Sequence, residues 1–159
     1  MRRRRVTSRS SPGRPRAPAV IQALGSVGAT MRPPAAPDRT RRRELLLQRD
    51  GATCVWCGRP FGSLVQPTTE HVVPRVKGGP SWLENELLAC RRCNGQRGHQ
   101  APVAWLEECA RRGWAPDPDR LLRSLVALQE AVGRRGGQRR ARPYLDRELR
   151  RLRRRTAPP

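Results

Sequence analysis

The sequence predicts a small α+β domain built around a cysteine cluster and flanked by basic tails. Three observations carry this expectation. There are two C-x-x-C pairs, Cys54/Cys57 and Cys90/Cys93; two short runs of strand character between the pairs, Thr68 to Val73 and Leu87 to Ala89; and helical patterning after them. The chain has 159 residues, is 36% hydrophobic, and has only four tryptophans, one tyrosine and one phenylalanine. One large apolar core is therefore excluded. No apolar run approaches the ~20 residues that span a bilayer, so no membrane partner is expected and a cytoplasmic location is.

Residues 1–39 read as a disordered Arg/Pro-rich tail, with too little apolar surface to offset chain entropy. Ala17 to Ala29 imitates a signal or transit segment, but its two glycines and few large apolar residues make a poor hydrophobic region. Met31 is a plausible true start. A helix is expected from Thr40, which can cap it, through Leu45, Leu46 and Leu47 to a turn at Asp50-Gly51. The knuckle at Cys54 and Cys57, the first strand, a turn at Lys77-Gly78-Gly79-Pro80, the second strand and a helix from Cys93 follow. Pro102 suits the first turn of a further helix, with Trp105 and Cys109 four residues apart on its apolar side. Asp117 caps the next, whose stripe runs Leu121, Leu122, Leu125, Val126, Leu128 and Val132 and stops at Gly133. Residues 40–100 are thus the core, 101–133 a helical extension and 134–159 a basic tail, in which Tyr144 to Arg153 forms at most a frayed helix.

Charge follows the same division. The chain carries 34 basic and 13 acidic residues, net +21, and Lys77 is its only lysine. Residues 1–43 have twelve arginines against Asp38, and residues 133–159 have eleven against Asp146 and Glu148. Residues 44–132, with eleven basic and ten acidic groups, are nearly neutral. A polyanion, most simply a nucleic acid, is the expected partner, held by the ends.

The cysteine pairs suit tetrahedral thiolate coordination of Zn2+, since each knuckle offers two sulfurs on one side of a tight turn. The alternative is two disulfides in a secreted chain. Four filled positions leave no open one for water, so such a site is structural. Cys109 reads as a buried small hydrophobe.

Between the pairs the sequence runs Glu70-His71-Val72-Val73-Pro74-Arg75, then Lys77-Gly78-Gly79, then Asn85-Glu86-Leu87-Leu88, then Cys90-Arg91-Arg92-Cys93-Asn94-Gly95-Gln96-Arg97-Gly98. This series, over roughly Asp50 to Gly98, closely resembles the HNH endonuclease family. The resemblance implies a ββα-metal fold: an antiparallel two-stranded ribbon, a helix across it and one catalytic divalent ion. It implies that His71 is the general base, that Glu70 ligates the metal, that Asn85 belongs to the catalytic set by orienting the strand-loop and holding the His71 ring, and that Asn94 completes both the catalytic set and the metal site. Oxygen donors suit Mg2+ or Mn2+. Arg75, Lys77, Arg91, Arg92 and Arg97 are expected to contact phosphates, Arg97 foremost; His99 has no assigned place.

On this basis the chain is expected to be a metal-dependent endonuclease that nicks or cuts DNA, as a monomer or dimer. Two alternatives stay open: a non-catalytic zinc module that binds nucleic acid, and an RNA-cleaving or toxin-like effector of the same family.

Overall fold

A computed structural model describes residues 37–156. The expectations for residues 1–36, including disorder and a start at Met31, lie outside the described residues. The elements in order are α1 (Arg39–Asp50), β1 (Pro67–His71), β2 (Glu86–Cys90), α2 (Arg91–Arg97), α3 (Pro102–Arg111), α4 (Pro118–Arg135) and α5 (Ala141–Thr156). Single 3-10 turns at Arg75–Lys77 and Leu83–Asn85 bracket the ribbon loop.

The cap of α1 is Asp38 rather than Thr40. Its carboxylate accepts the Arg41 N–H at 2.8 Å, so the helix starts inside the stretch expected to be tail. Gly51, with φ 79°, ends the helix where the sequence predicts.

β1 and β2 pair antiparallel, with Pro67 opposite Cys90 and His71 opposite Glu86. β1 stops at His71, short of Val73, because the next backbone donors leave the strand ladder. Val72 N–H donates to the Asn85 carbonyl at 2.9 Å, and Val73 N–H to the Asn85 side-chain oxygen at 2.8 Å. All five residues of β2 are buried. Helices α1, α2 and α4 all pack against this strand, which explains its unbroken apolar run. The core continues from β2 through Trp56, Trp105 and the leucines of α4.

Helices α3 and α4 follow the predicted starts. Pro102 opens α3, and Asp117 caps α4 by accepting the Arg120 N–H at 2.8 Å. Gly133 does not stop α4, which runs to Arg135 and ends at Gly136, φ 72°. Ala131 and Val132 are buried just before Gly133, so packing carries the helix past a weak residue.

The expected basic tail over 134–159 is corrected. Residues 141–156 are helical, and Tyr144, Leu145, Leu149 and Leu152 are buried against the rest of the core. These positions recur at helical spacing, and the arginines occupy the outward ones. Glu148 is buried and accepts the Val103 N–H at 3.3 Å, satisfying a donor at the start of α3. Arg151 and Arg155 pair with Glu107 at 2.6 and 3.1 Å. Gly78, at φ 84°, lies so close to this helix that a Cβ there would sit 2.9 Å from the Arg140 Cβ.

Burial of this kind is worth roughly 1.5–3 kcal/mol per leucine. Leu149→Ala is expected to lower unfolding free energy by about 2–5 kcal/mol in urea titrations; a loss below about 0.5 kcal/mol would mean that α5 is not docked.

Candidate active site and metal centre

The four cysteines converge where the ribbon meets α2. Cys54 and Cys57 come from the knuckle after α1, Cys90 ends β2, and Cys93 lies in the first turn of α2. All four are buried and none is disulfide-bonded. Their sulfurs lie within 4.8 Å of one another, with Cys57 and Cys90 at 4.0 Å. Tetrahedral zinc with Zn–S bonds of ~2.3 Å needs sulfurs about 3.8 Å apart. Four soft donors at this separation are compatible with a zinc site.

The electrostatics fit a cation as well. Cys54 is drawn down to about 4, first by a hydrogen bond from Cys93, then, against the cost of burial, by the N–H groups of Cys90, Trp56 and Cys57. Cys93 is pushed well up, chiefly by the Cys54 sulfur beside it. Without a dication the four sulfurs cannot all ionise. Arg59, which the sequence reading passed over, brings its guanidinium to 3.8 Å from Cys90 Sγ, where it offsets the negative charge of a zinc tetrathiolate. Cys109 is buried, and burial raises its thiol to about 12, as befits an inert packing residue.

The other end of the ribbon is held by Asn85, which has no exposed surface. Its oxygen accepts from Val73 N–H, and its Nδ2 donates to the carbonyls of Val73 at 3.1 Å and Pro80 at 2.8 Å. All three bonds cross the loop from β1 to β2. Gly79 completes the closure, because a Cβ there would fall 1.8 Å from the Val73 carbonyl oxygen and 2.9 Å from Asn85 Nδ2. Asn85 thus sits behind the surface and shapes the loop from within, and its side-chain hydrogen bonds go to the loop backbone rather than to the His71 ring that the resemblance assigns it.

In front lies a cleft of about 180 Å³ whose lining includes Glu70, His71, Arg75, Asn94 and His99. Three of these, Glu70, His71 and Asn94, are sequence-derived candidates brought together from β1 and α2. Burial lowers the His71 pKa, helped by the charges of Arg75, Arg42 and Arg39, so the ring is neutral at pH 7. Asn94 donates from Nδ2 to Thr68 Oγ1 at 2.9 Å and to the Thr69 carbonyl at 3.1 Å. That commits the amide nitrogen and leaves the amide oxygen for a cation. Glu70 is buried; one oxygen pairs with Arg97 and the other, Oε2, has no hydrogen-bond partner. A buried carboxylate oxygen without a partner, beside an amide oxygen, fits a hard divalent cation such as Mg2+ or Mn2+.

Arg97 overturns the expectation of a phosphate contact. It is 1% exposed, and its guanidinium donates to Glu70 and to the carbonyls of His71 at 2.8 Å and Val72 at 2.7 Å. Trp56 lies beneath it, with its ring centre 5.5 Å away. Burial draws Arg97 down to about 10, so it keeps its charge at neutral pH. Its work is to fix the end of β1. Arg75, Lys77, Arg91 and Arg92 are exposed as expected, although Arg92 lies over the Trp114 ring at 4.6 Å.

Sequence reasoning missed three surface residues here. His99 lines the same cleft. Arg39 and Arg43 of α1, counted as part of a charged run, line hollows that adjoin it along Thr68, Thr69 and Asn94, where Arg91 also lies. A basic path therefore leads from α1 to Asn94. Nothing local in the sequence marks α1 as adjacent to β1. Among the described residues, no helix is long and apolar enough to cross a membrane.

Residues 54–100 match the family model described as HNH endonuclease. The CRISPR-associated endonuclease Cas9 of Corynebacterium diphtheriae is 29% identical over 89 residues. That alignment covers 55% of this chain and 7% of the longer protein. Residues 54–100, the segment matched by the family model, hold both the four cysteines and the lining of the cleft.

Cys54→Ser and Cys93→Ser are each expected to lower zinc content, measured by atomic absorption, together with thermal stability, and a strong chelator should reproduce the loss of stability in the wild type. Full zinc occupancy in both variants would refute a four-cysteine site.

Proposed function

We propose that this chain, which carries an HNH endonuclease domain over residues 54–100, is a metal-dependent endonuclease that hydrolyses phosphodiester bonds in DNA. The observation that carries the reading is the convergence of Glu70, His71 and Asn94 on one cleft edged by Arg75. His71 is the general base. Its neutral ring takes a proton from water as the water oxygen attacks phosphorus. Glu70 Oε2 and the Asn94 amide oxygen are the groups that would hold the catalytic cation, and that cation, when bound, stabilises charge at phosphorus and at the leaving oxygen. Arg75 and Arg91 hold flanking phosphates, with Arg39 and Arg43 extending the path. Asn85 acts by keeping the β1–β2 loop in shape.

The four cysteines hold structural zinc, a role apart from catalysis. Thiolates and oxygens select different ions, so one chain keeps the two sites distinct. The outward arginines of α5 add salt-sensitive affinity for the nucleic-acid backbone. One site per chain makes a nick; a double-strand break calls for two copies. Reduced thiols held as a metal set suit a cytoplasmic location.

A plasmid-nicking assay with Mg2+ or Mn2+ against EDTA tests the reading, with an RNA substrate in parallel. His71→Ala is expected to reduce turnover by at least 10²-fold, within the range that general-base catalysis supplies, while zinc content and DNA binding stay near wild type. Cleavage at the wild-type rate in that variant would refute the mechanism. Cleavage of RNA alone would move the substrate class, and tight binding without any cleavage would favour a non-catalytic module.

A further inference from the structure

Glu86 has no exposed surface, and a carboxylate so placed requires compensation. One oxygen has it: Oε2 accepts from Arg42 Nε at 3.0 Å. The other, Oε1, is buried without a hydrogen-bond partner and lies 3.6 Å from His71 Nε2. The ribbon register sets Glu86 directly opposite His71, so the two side chains share one face. The same ring nitrogen is 3.2 Å from Ser81 Oγ. The hydrogen-bond contact and the ion-pair contact of the His71 ring thus both engage Nε2.

The geometry points to Glu86 as a positioning residue for His71, held in place by Arg42 and turning the ring so that Nε2 carries the hydrogen and Nδ1 keeps the lone pair. This rests on the nuclease reading above. In the reaction, an O–H bond of water breaks and its proton moves to Nδ1. The electron pair stays on oxygen, which bonds to phosphorus as the bond from phosphorus to the leaving oxygen breaks, and that oxygen departs with the bonding pair. The ring becomes an imidazolium whose positive charge faces the Glu86 carboxylate, and Glu86 itself gains no proton. A third group that fixes the tautomer and stabilises the charged ring is a recurring device in base catalysis. At 3.6 Å the contact is too long to count as a hydrogen bond, and catalytic hydrogen bonds commonly tighten once substrate is bound.

The arrangement also enlists α1. Arg42 reaches Glu86 from that helix, and Arg49, about two turns on along the same face, donates to the Glu86 carbonyl at 2.8 Å and the Leu83 carbonyl at 2.9 Å. Both arginines precede residues 54–100, the segment that matches the family model. The unit that orients the base is thus larger than the matched segment.

The test compares wild type with Glu86→Gln and Glu86→Asp in the full chain, by two readouts. For nicking, Glu86→Gln is expected to lower kcat about tenfold or more, part of the ~10²–10⁴ that a general base contributes, with KM within about twofold; Glu86→Asp, which keeps the charge, recovers part of kcat. For the ring itself, long-range 15N–1H spectra report the tautomer without any turnover. The chain has only two histidines, so His99→Ala assigns the His71 signals. Wild type is expected to hold the hydrogen on Nε2, and Glu86→Gln to lose that preference. An unchanged tautomer together with an unchanged kcat in Glu86→Gln overturns the proposal. A wild type that cleaves nothing overturns the nuclease reading, while the spectra still decide whether Glu86 orients the ring. Should Glu86→Gln fail to fold, Arg42→Lys, which loosens the hold on Glu86, is read by the same spectra with the same expected direction.

Discussion

The crowding of four sulfurs at one corner is the constraint on which the rest of the structure depends. Cys90 is both the last residue of β2 and the cap of α2. Whatever satisfies the sulfurs therefore fixes the angle at which α2 leaves the ribbon. That angle in turn sets Asn94, on α2, against Glu70 and His71, at the end of β1. A chain with 36% hydrophobic residues has little apolar surface with which to set such an angle by packing alone, and four sulfurs close enough to share one metal ion offer a means of holding it. The sulfur corner and the cleft are thus linked mechanically although their residues differ.

The second layer of order comes from buried guanidinium groups. Arg97 ties α2 to the end of β1 through Glu70 and two carbonyls, and Arg42 ties α1 to β2 through Glu86. Arginine suits these places because its planar fork meets several acceptors at once and because it resists neutralisation. Arg97 is still a cation when burial has lowered it to about 10. A lysine starts from ~10.4 in water, so comparable burial would leave it a much smaller margin above neutral pH. The near-absence of lysine from this chain thus bears on its interior as well as on its surface.

Much of the site was legible in the sequence because its signals are local. The cysteine pairs and the Gly79 turn are read from spacing, the set Glu70, His71, Asn85 and Asn94 is read from the family resemblance, and the strands fall within two residues of the expected runs. What escaped the reading was set by distant contacts. Asp38 displaced Thr40 as a cap because it offers its carboxylate to Arg41 two residues earlier. Arg97 looked like a surface cation, since arginine is seldom buried, and its place is explained by distant partners, Glu70 and the His71 and Val72 carbonyls. In α5 the weight of arginine masked a stripe of Tyr144, Leu145, Leu149 and Leu152 that satisfies the helical period. Glu86 carried no local mark at all: its meaning lies in the register that faces it with His71.

That register also decides where the chain has freedom of length. Between His71 and Glu86 the loop is closed by Asn85 on both sides and admits no Cβ at Gly79, so an added residue there would turn one strand's side chains to the opposite face. The stretch after the first knuckle is different. Leu64 stands 96% exposed at the tip of a short turn closed by Gly62, Val65 and the Gln66 side chain, and neither the sulfur cluster nor the cleft draws a residue from it. Inserted segments, even whole modules, belong at that tip, where they leave the sulfur corner, the ribbon and the cleft in their present alignment.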